Sequence, residues 1–255
     1  MTIKQVKKLN KFKIPSNAIN IYGNHPAKSA LLSSNRSCYL LCTTEKKFDY
    51  WNNFVKSNKV NIKIVLLETF EINNISNSKN HQGIVIFSSK IIKKKLSEYL
   101  KKLSSKKTKI LILDQLTDPQ NVGSIIRSAF AFNFDAVCLL KNNSPIETPS
   151  LIKASAGEID NIQILEIGNL VQEIKILKKQ NFFIYGLDGE GKMQIQEIDK
   201  TDNRIALIIG AEGKGLRNLT KQNVDELVKI DINPKCNSLN AANATTVAMY
   251  EISKN

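Results

Sequence analysis

Three short clusters of polar residues and glycines carry the side chains best suited to chemistry. The first is the segment 114–127, Asp-Gln-Leu-Thr-Asp-Pro-Gln-Asn-Val-Gly-Ser-Ile-Ile-Arg, which follows an apolar run and leads into a helical pattern. Open α/β sheets bind ligands where such a loop leaves a strand. Asn121 offers an amide donor and an acceptor, and Arg127 offers a planar fork of donors suited to phosphate. A plain loop with an N-cap and a solvated arginine also fits this cluster.

The second cluster is a glycine-rich loop, residues 208–216, Ile-Ile-Gly-Ala-Glu-Gly-Lys-Gly-Leu. Its glycines allow positive φ angles and a close approach of ligand to backbone, and Glu212 is its one carboxylate. The spacing matches neither G-x-G-x-x-G nor G-x-x-x-x-G-K-[ST], which excludes nucleotide-phosphate loops of those two types. The segment 186–191, Gly-Leu-Asp-Gly-Glu-Gly, fails the same patterns, and we interpret it as an ordinary turn.

The third cluster, residues 230–243, begins at the end of an apolar run and brings several small polar residues to the start of a helical pattern, among them Asn237, Ser238, Asn240 and Asn243. A helix needs only one such residue as its N-cap. Either the others bind a ligand, or the capping is redundant in a chain rich in asparagine.

Strands and helices must position these clusters, and apolar periodicity predicts where they lie. In the N-terminal part, strands are predicted at 20–22, 37–43, 62–67 and 83–87, helices at 25–33, 48–57 and 93–103, and a polar loop at 73–80. Further along, strands are predicted at 109–114, 136–140, 162–167, 182–187, 205–210 and 227–232, with helices at 122–133, 149–159, 170–179 and 238–253. Apolar strands alternating with helices indicate a parallel sheet covered on both faces.

Charge is concentrated in the N-terminal part. The chain has a formal net charge of +14. Residues 1–109 contain 21 Lys and 1 Arg against 5 acidic residues, a balance of +17, and the remainder has a balance of −3. Such asymmetry favours a polyanionic partner, nucleic acid above all, although lysine used for solubility is the alternative. Only 4 Arg occur beside 33 Lys, so each arginine is a candidate for a role that needs its planar fork.

Composition also argues against several classes of protein. The four cysteines form no C-x-x-C pair and the chain has 2 His, so we expect free buried thiols and no metal site. No apolar run approaches the roughly 20 residues of a membrane span, and residues 1–13 lack the apolar core of a secretory signal. We therefore expect a cytoplasmic protein.

Taken together and in this order, the three clusters resemble the SpoU, or TrmH-like, family of RNA ribose 2′-O-methyltransferases in the SPOUT superfamily, and most closely its 23S rRNA guanosine group. Residues 21–27, Ile-Tyr-Gly-Asn-His-Pro-Ala, and 81–86, His-Gln-Gly-Ile-Val-Ile, resemble the L30e-like domain of its ribosomal RNA members. The resemblance implies a basic arm at 1–16, an L30e-like RNA-binding domain at 17–92, a Lys-rich helix and linker at 93–108, and a methyltransferase domain with a parallel sheet and a deep trefoil knot at 109–255.

The resemblance also implies a cofactor, S-adenosylmethionine, and a homodimer. It assigns catalytic roles to five residues: Asn121, Arg127, Glu212, Ser238 and Asn240. It places the cofactor against five others: Gly210, Gly213, Gly215, Ile230 and Leu239. The chain departs from the family pattern at Asn233-Pro234, where Pro-Met is usual, and after Asn240, where Ala-Ala-Asn follows.

Free guanidinium keeps its proton far above pH 7, so we favour Arg127 as a group that holds the target phosphate and polarises the 2′-hydroxyl. A phosphate oxygen or water would then take the proton. Glu212 would orient Arg127 or Asn121, and Ser238 and Asn240 would bind the ribose or the cofactor. His25 and His81 are expected to be structural. Two alternatives remain: methylation of tRNA, and an RNA-binding or ribosome-assembly protein without activity.

Overall fold

The computed structural model describes residues 9, 11–142, 144–145, 147–199 and 204–254. These residues form two compact units. Unit 1 comprises the described residues up to Ile92 together with residues 147–161, and unit 2 comprises those of 93–145 and 162–254.

The described residues form the following strands and helices, numbered along the chain. The strands are β1 Ile19–Tyr22, β2 Cys38–Thr43, β3 Ile64–Leu66, β4 Ile84–Ser88, β5 Lys94–Lys95, β6 Thr108–Leu113, β7 Ala136–Leu140, β8 Gln163–Ile167, β9 Phe183–Leu187, β10 Met193–Gln194, β11 Arg204–Ile209 and β12 Glu226–Lys229. The helices are α1 Asn24–Leu32, α2 Glu45–Ser57, α3 Thr69–Ser76, α4 Leu96–Lys101, α5 Pro119–Ala131, α6 Pro149–Ala154, α7 Leu170–Lys179, α8 Asn218–Lys221 and α9 Ala241–Ser253.

Unit 1 is built on a four-stranded sheet of order β1-β4-β2-β3. Strand β4 is antiparallel to both of its neighbours, and β3 is parallel to β2. Its core contains buried Leu40, Ile72 and Phe87. Leu9 is also buried, and Phe12 packs against the same core, so the described end of the predicted basic arm belongs to this unit. Residues 1–8 and 10 lie outside the described residues.

Unit 2 is built on an eight-stranded sheet of order β10-β12-β9-β11-β6-β7-β8-β5, in which every pairing is parallel. The central strands are apolar over most of their length, as residues 110–113 of β6 and 205–209 of β11 show, because helices cover both faces of a parallel sheet. The chain builds the sheet outward from β6 in one direction through β7 and β8, and then returns to build the other half. The α/β class with a parallel sheet is therefore confirmed.

Most predicted elements are present, with two informative differences. The polar loop predicted at 73–80 is partly helix α3, because Ile72 and Ile75 are buried and a capping box between Glu68 and Glu71 starts the helix. The predicted helix at 93–103 shortens to α4, since Lys94 and Lys95 form strand β5 at the edge of the large sheet.

Residues 147–161 differ from expectation in their placement. The sequence predicts them within the second domain, with a helix at 149–159. Helix α6 occupies part of that range, but the whole segment packs in unit 1. Its Asp160 and Glu147 form buried ion pairs with Arg36, at N–O distances of 2.6 and 2.8 Å. A buried guanidinium requires acidic partners. Here both partners belong to residues 147–161, so this segment is needed to complete unit 1.

Candidate active site

The carboxyl ends of neighbouring strands in unit 2 bring separate loops together. The register pairs Leu113 of β6 with Ile209 of β11, and Ile209 with Leu187 of β9. The residues that follow, Asp114, Gly210 and Asp188, therefore begin three loops side by side. This edge also lies where the order of strand addition reverses, the place at which open parallel sheets bind ligands.

A cavity of about 830 Å³ lies at this edge. It is lined by the loop after β9, the glycine-rich loop after β11, the residues after β12 and the start of α9. All five residues assigned to the cofactor line it: Gly210, Gly213, Gly215, Ile230 and Leu239. Glu212, Ser238 and Asn240 line it as well.

The glycine-rich loop folds back on itself tightly. Ala211 and Gly215 exchange two backbone hydrogen bonds, with N–O distances of 3.1 and 2.9 Å. A Cβ atom on Gly210 would lie 2.1 Å from the carbonyl carbon of Gly215, so only glycine fits there. Gly213 and Gly215 have φ angles of 72° and 63°, a region that glycine occupies without strain. The loop therefore presents backbone and Glu212 to the cavity.

Asn121 joins the three clusters through hydrogen bonds. Its Nδ2 donates to Glu212 Oε1 in the second cluster, and its Oδ1 accepts from Asn240 Nδ2 in the third, at 3.2 Å. Asn240 in turn caps helix α9, because its Oδ1 accepts from the backbone N–H of Ala242 at 2.8 Å. One chain of side chains thus connects the start of α5, the glycine-rich loop and the start of α9.

One lysine and two acidic residues that the sequence did not single out as site residues also border the cavity. Lys221 of α8 contacts Asp188 at 3.0 Å and Glu190 at 2.6 Å. Hydrogen bonds from Lys221 to Glu190 and Asp188 raise the pKa of Lys221, so it stays protonated. Residues 186–191 do make a turn, closed by the Gly191 N–H on Asp188 O at 3.0 Å, but the interpretation as an ordinary turn was incomplete. Residues 186–191 place glycines directly after an apolar strand, as the glycine-rich loop after β11 does, and this shared pattern could have indicated a second loop at the cavity.

Behind the cavity, the Asp114 side chain is buried and held by three donors. Arg217 binds it with Nε and Nη2, both at 2.9 Å, and Thr220 Oγ1 donates to it at 3.2 Å. The two-point contact uses the planar fork of arginine. It fixes the start of α8 against the end of β6, an arrangement that no spacing in the sequence indicated.

Arg127 and Ser238 stand apart from this network. Arg127 is exposed on α5, does not line the cavity of its own chain, and makes no hydrogen bond or ion pair with any other described residue. Its donors are therefore available to a ligand. Ser238 lines the cavity in an exposed loop at 231–240, ahead of α9, which begins three residues later than predicted because Asn240 is its N-cap.

The histidines and cysteines lie outside the cavity. His81 is buried in unit 1, where Nδ1 accepts from the Gly83 N–H and Nε2 contacts Asn73 Oδ1, both at 2.9 Å. All four cysteines are free. Burial raises the pKa of Cys42 to about 12, whereas Cys236 is exposed, contrary to the expectation that all four are buried.

Neither a metal-binding cluster nor a membrane-spanning helix occurs among the described residues. They contain no group of three or more His, Cys, Asp or Glu side chains placed to hold a metal ion. They also contain no helix long and apolar enough to span a membrane.

The fold and the cavity define an α/β protein with a cavity at the carboxyl edge of a parallel sheet. Residues 108–250 match the model of the SpoU rRNA methylase family. The 23S rRNA (guanosine-2'-O-)-methyltransferase RlmB of Coxiella burnetii is 34% identical over 92% of this chain and 95% of that protein. An uncharacterized tRNA/rRNA methyltransferase of Borreliella burgdorferi is 33% identical over 76% of this chain and 88% of that protein.

Among solved structures, the SpoU methyltransferase AviRb of Streptomyces viridochromogenes, in complex with the cofactor AdoMet, superimposes with a TM-score of 0.77 at 19% identity. The superposition covers 93% of this chain and 90% of that one, which establishes the shared fold. The chain belongs to the SpoU rRNA methylase family.

Proposed function

We propose that this protein transfers a methyl group from S-adenosylmethionine to the 2′-hydroxyl of a guanosine ribose in 23S rRNA. The observation that carries the proposal is the hydrogen-bonded chain Glu212–Asn121–Asn240, which joins all three family motifs at the rim of one cavity. The name of the Coxiella burnetii relative supports the choice of substrate and base. Since this RNA is made and assembled in the cytoplasm, we place the protein there.

The residues around the cavity fit the proposed cofactor. Its volume of about 830 Å³ lies within the usual range for small-molecule sites. Exposed backbone of the glycine-rich loop and the side chains of Ile230 and Leu239 suit an adenine ring. Asp188, Glu190 and Glu212 suit a ribose diol and a cationic amino acid end. When bound, S-adenosylmethionine supplies an electrophilic methyl group.

The chain's own residues would bring the hydroxyl into line and hold the phosphate. Arg127, whose side-chain donors have no partner among the described residues, would bind a phosphate oxygen next to the target ribose and polarise the 2′-hydroxyl. The proton would pass to a phosphate oxygen or to water. Glu212 would keep Asn121 oriented through their hydrogen bond, and Ser238 and Asn240 would hold the ribose or the cofactor.

We propose that two copies complete the site. Arg127 and Phe130 are three positions apart, and so they share a face of α5. Phe130 is 42% exposed, and Val247 and Tyr250 of the adjoining α9 are 39% and 50% exposed. An apolar face that carries Arg127 suits a second copy of the chain, which would receive the arginine near its own cavity.

Sedimentation of the wild type should give a dimer. Phe130→Asp should shift the protein to monomer and lower turnover.

Two further features of the family are proposed for this chain. We infer a trefoil knot in unit 2, supported by residues 230, 232 and 237–240, which line the same cavity as the loop 210–215. We also infer that unit 1 is an L30e-like domain that binds RNA. Its mixed four-stranded sheet and the excess of lysine in the N-terminal sequence support this role. RNA affinity should then fall steeply with salt.

Transfer of labelled methyl from S-adenosylmethionine to unmodified 23S rRNA, 16S rRNA and bulk tRNA tests the proposal. We expect label on 23S rRNA alone, at one ribose whose linkage resists alkali. Arg127→Ala should abolish transfer while cofactor affinity is kept. Arg127→Lys should also lose most turnover, since lysine lacks the planar fork.

Each other result would overturn a different part of the proposal. Label on tRNA alone would keep the reaction and overturn the substrate. Salt-sensitive RNA binding with no label on any RNA would favour an RNA-binding or ribosome-assembly protein. Near-normal turnover by Arg127→Lys would exclude both a two-point phosphate contact and a special role for arginine.

A further inference from the structure

A second cavity, of about 790 Å³, lies in unit 2 at the same edge of the sheet. The residues that follow three adjacent strands line it. Gln115 comes after β6, Lys141 and Asn142 come after β7, and Gly168 and Asn169 come after β8. The carboxyl ends of parallel strands are the edge at which ligands bind, and the residues that line this cavity indicate what it would bind.

Helix α8 separates the second cavity from the first. Asn218, Leu219 and Thr220 line the second cavity, whereas the next residue, Lys221, lines the first. The helix is fixed in place by Arg217 and Thr220 on Asp114. A ligand in the second cavity would therefore lie one short helix away from the proposed cofactor.

The described residues that line the second cavity include no carboxylate. Lys141 and Arg217 are its cations, and five of its side chains are carboxamides: Gln115, Asn142, Asn169, Gln172 and Asn218. A carboxamide donates and accepts at once, which allows it to pair with the edge of a nucleobase. Arg217 keeps its Nη1 without a partner among the described residues, and the side chain of Lys141 is exposed.

Two residues of the lining have features that a bound ligand would use. Leu219 is 65% exposed, although an apolar side chain gains by being covered. Gln115 has a φ angle of 61°, a conformation that costs a side chain other than glycine or asparagine some strain. Strain of this kind collects at binding sites. Both features fit a flat apolar ring that covers Leu219 beside a fixed Gln115.

We propose that the second cavity binds one unstacked nucleotide of the RNA substrate, a nucleotide that flanks the methylated one. The carboxamides contact the edge of the base, Leu219 packs against its face, and Lys141 pairs with its phosphate. Sequence-specific proteins recognise RNA in this way, by bases splayed out of single-stranded regions. The cavity volume suits a ligand of that size. This inference rests on the proposed RNA methyl transfer.

The test compares two double variants of the full chain with the wild type. Lys141→Gln/Leu219→Ala alters the cavity, and Lys179→Gln/Ile176→Ala makes the same chemical changes at exposed positions of α7 outside both cavities. We measure the Kd for unmodified 23S rRNA by filter binding at several salt concentrations, and the Kd for S-adenosylmethionine by calorimetry. The cavity variant should bind RNA about tenfold more weakly, with a salt slope smaller by about one ion, and should bind the cofactor normally.

A second measurement uses RNA fragments in which each nucleotide that flanks the methylated one is replaced in turn by an abasic residue. One such abasic replacement should weaken RNA binding by the wild type and leave the RNA affinity of the cavity variant unchanged. The abasic replacement and the cavity substitutions would each remove the same contact. Asn142→Ala, a milder variant, should show the same coupling.

The proposal is overturned if the cavity variant matches the α7 variant in RNA affinity and salt slope, or if no abasic position is coupled to it. A parallel loss of cofactor affinity would also overturn it, since it would mean a structural defect. The comparison of the two double variants depends on RNA binding alone, whereas the abasic fragments also require the methylated nucleotide to be known. If the wild type binds 23S rRNA and transfers no methyl group, the proposed function fails while the comparison still decides the cavity.

Discussion

Asn121 holds the only hydrogen bonds seen among the described residues that connect Glu212 with Asn240. A carboxamide suits this position because it donates to a carboxylate with one atom and accepts from a second carboxamide with the other. Three of the four arginines likewise use several donors at once. Arg36 and Arg217 form ion pairs with carboxylates, and Arg204 donates hydrogen bonds to the backbone carbonyls of Gln180 and Ser105. Arg127 is the exception, which agrees with a ligand as its partner.

Gly210→Ala tests the tight closure of the glycine-rich loop. The added Cβ would meet the backbone of Gly215 at 2.1 Å, and backbone cannot move aside as a long side chain can. We expect calorimetry to show cofactor affinity reduced by about tenfold or more, equal to about 1.4 kcal/mol. Gly168→Ala is the control, since nothing lies within 4 Å of its added Cβ and Gly168 lies outside the cofactor cavity. Normal affinity in Gly210→Ala would mean that the loop adapts.

His81 makes the stability of the protein depend on pH. Desolvation lowers the pKa of His81 in the folded state, so the unfolded chain binds its proton first as the pH falls. The contribution of neutral His81 is complete above about pH 6.5 and is lost as the pH falls toward the folded-state pKa. The free energy of unfolding of the wild type should therefore approach that of His81→Gln between pH 7 and pH 5, as denaturant titrations would show. Parallel pH profiles would contradict this prediction.

At the scale of single elements, Asn240 has two tasks that can be separated. Its Oδ1 caps α9, and its Nδ2 donates to Asn121. Asn240→Asp keeps an acceptor for the cap but removes the donor, whereas Asn240→Ala removes both. We expect Asn240→Asp to retain stability and lose turnover, and Asn240→Ala to lose turnover and about 1 kcal/mol of stability. Denaturation midpoints and methyl transfer rates decide. Wild-type turnover in Asn240→Asp would show that the bond to Asn121 is dispensable.

At the scale of the whole molecule, unit 1 is assembled from two separate parts of the chain. Arg36 connects them, because it pairs with Glu147 and Asp160 and also donates to Ser89 O at 3.1 Å. Burial lowers the pKa of Arg36, but the charges of Asp160 and Glu147 outweigh it and the net pKa is raised. The guanidinium thus stays charged inside the unit and holds residues 147–161 in place.

Arg36→Met should destabilise the protein by about 3 to 5 kcal/mol, because it leaves two carboxylates buried without a cation. Hydrogen exchange should locate the loss of protection in residues 147–161 as well as in the N-terminal strands. Adding Asp160→Asn and Glu147→Gln removes the stranded charges and should restore much of the stability. If Arg36→Met alone were as stable as the wild type, the buried ion pairs would not hold the segment.

The sequence by itself determined the alternation of strands and helices, the parallel sheet and the three motif clusters. These features depend on local patterns: apolar runs of strand length, helical spacing, and glycines or asparagines where a strand ends. Strand β7 and helix α7 have the predicted bounds. The same local reasoning failed at two places. Asparagines near Ile72 and Ile75 made part of α3 read as a polar loop, although both isoleucines are buried. A helix was predicted over 93–103, where Lys94 and Lys95 instead form an edge strand.

Only the tertiary structure decided which residues meet. The register of β6, β9 and β11 brings Asp188 and Glu190 to the cavity, a placement that residues 186–191 do not reveal by themselves. Long-range pairing likewise joins Arg217 to Asp114 and Arg36 to Asp160, across 103 and 124 positions. Such contacts depend on the order in which strands are added to the sheet and on the packing of distant segments. A local pattern cannot encode them, because the same pattern is compatible with many strand orders.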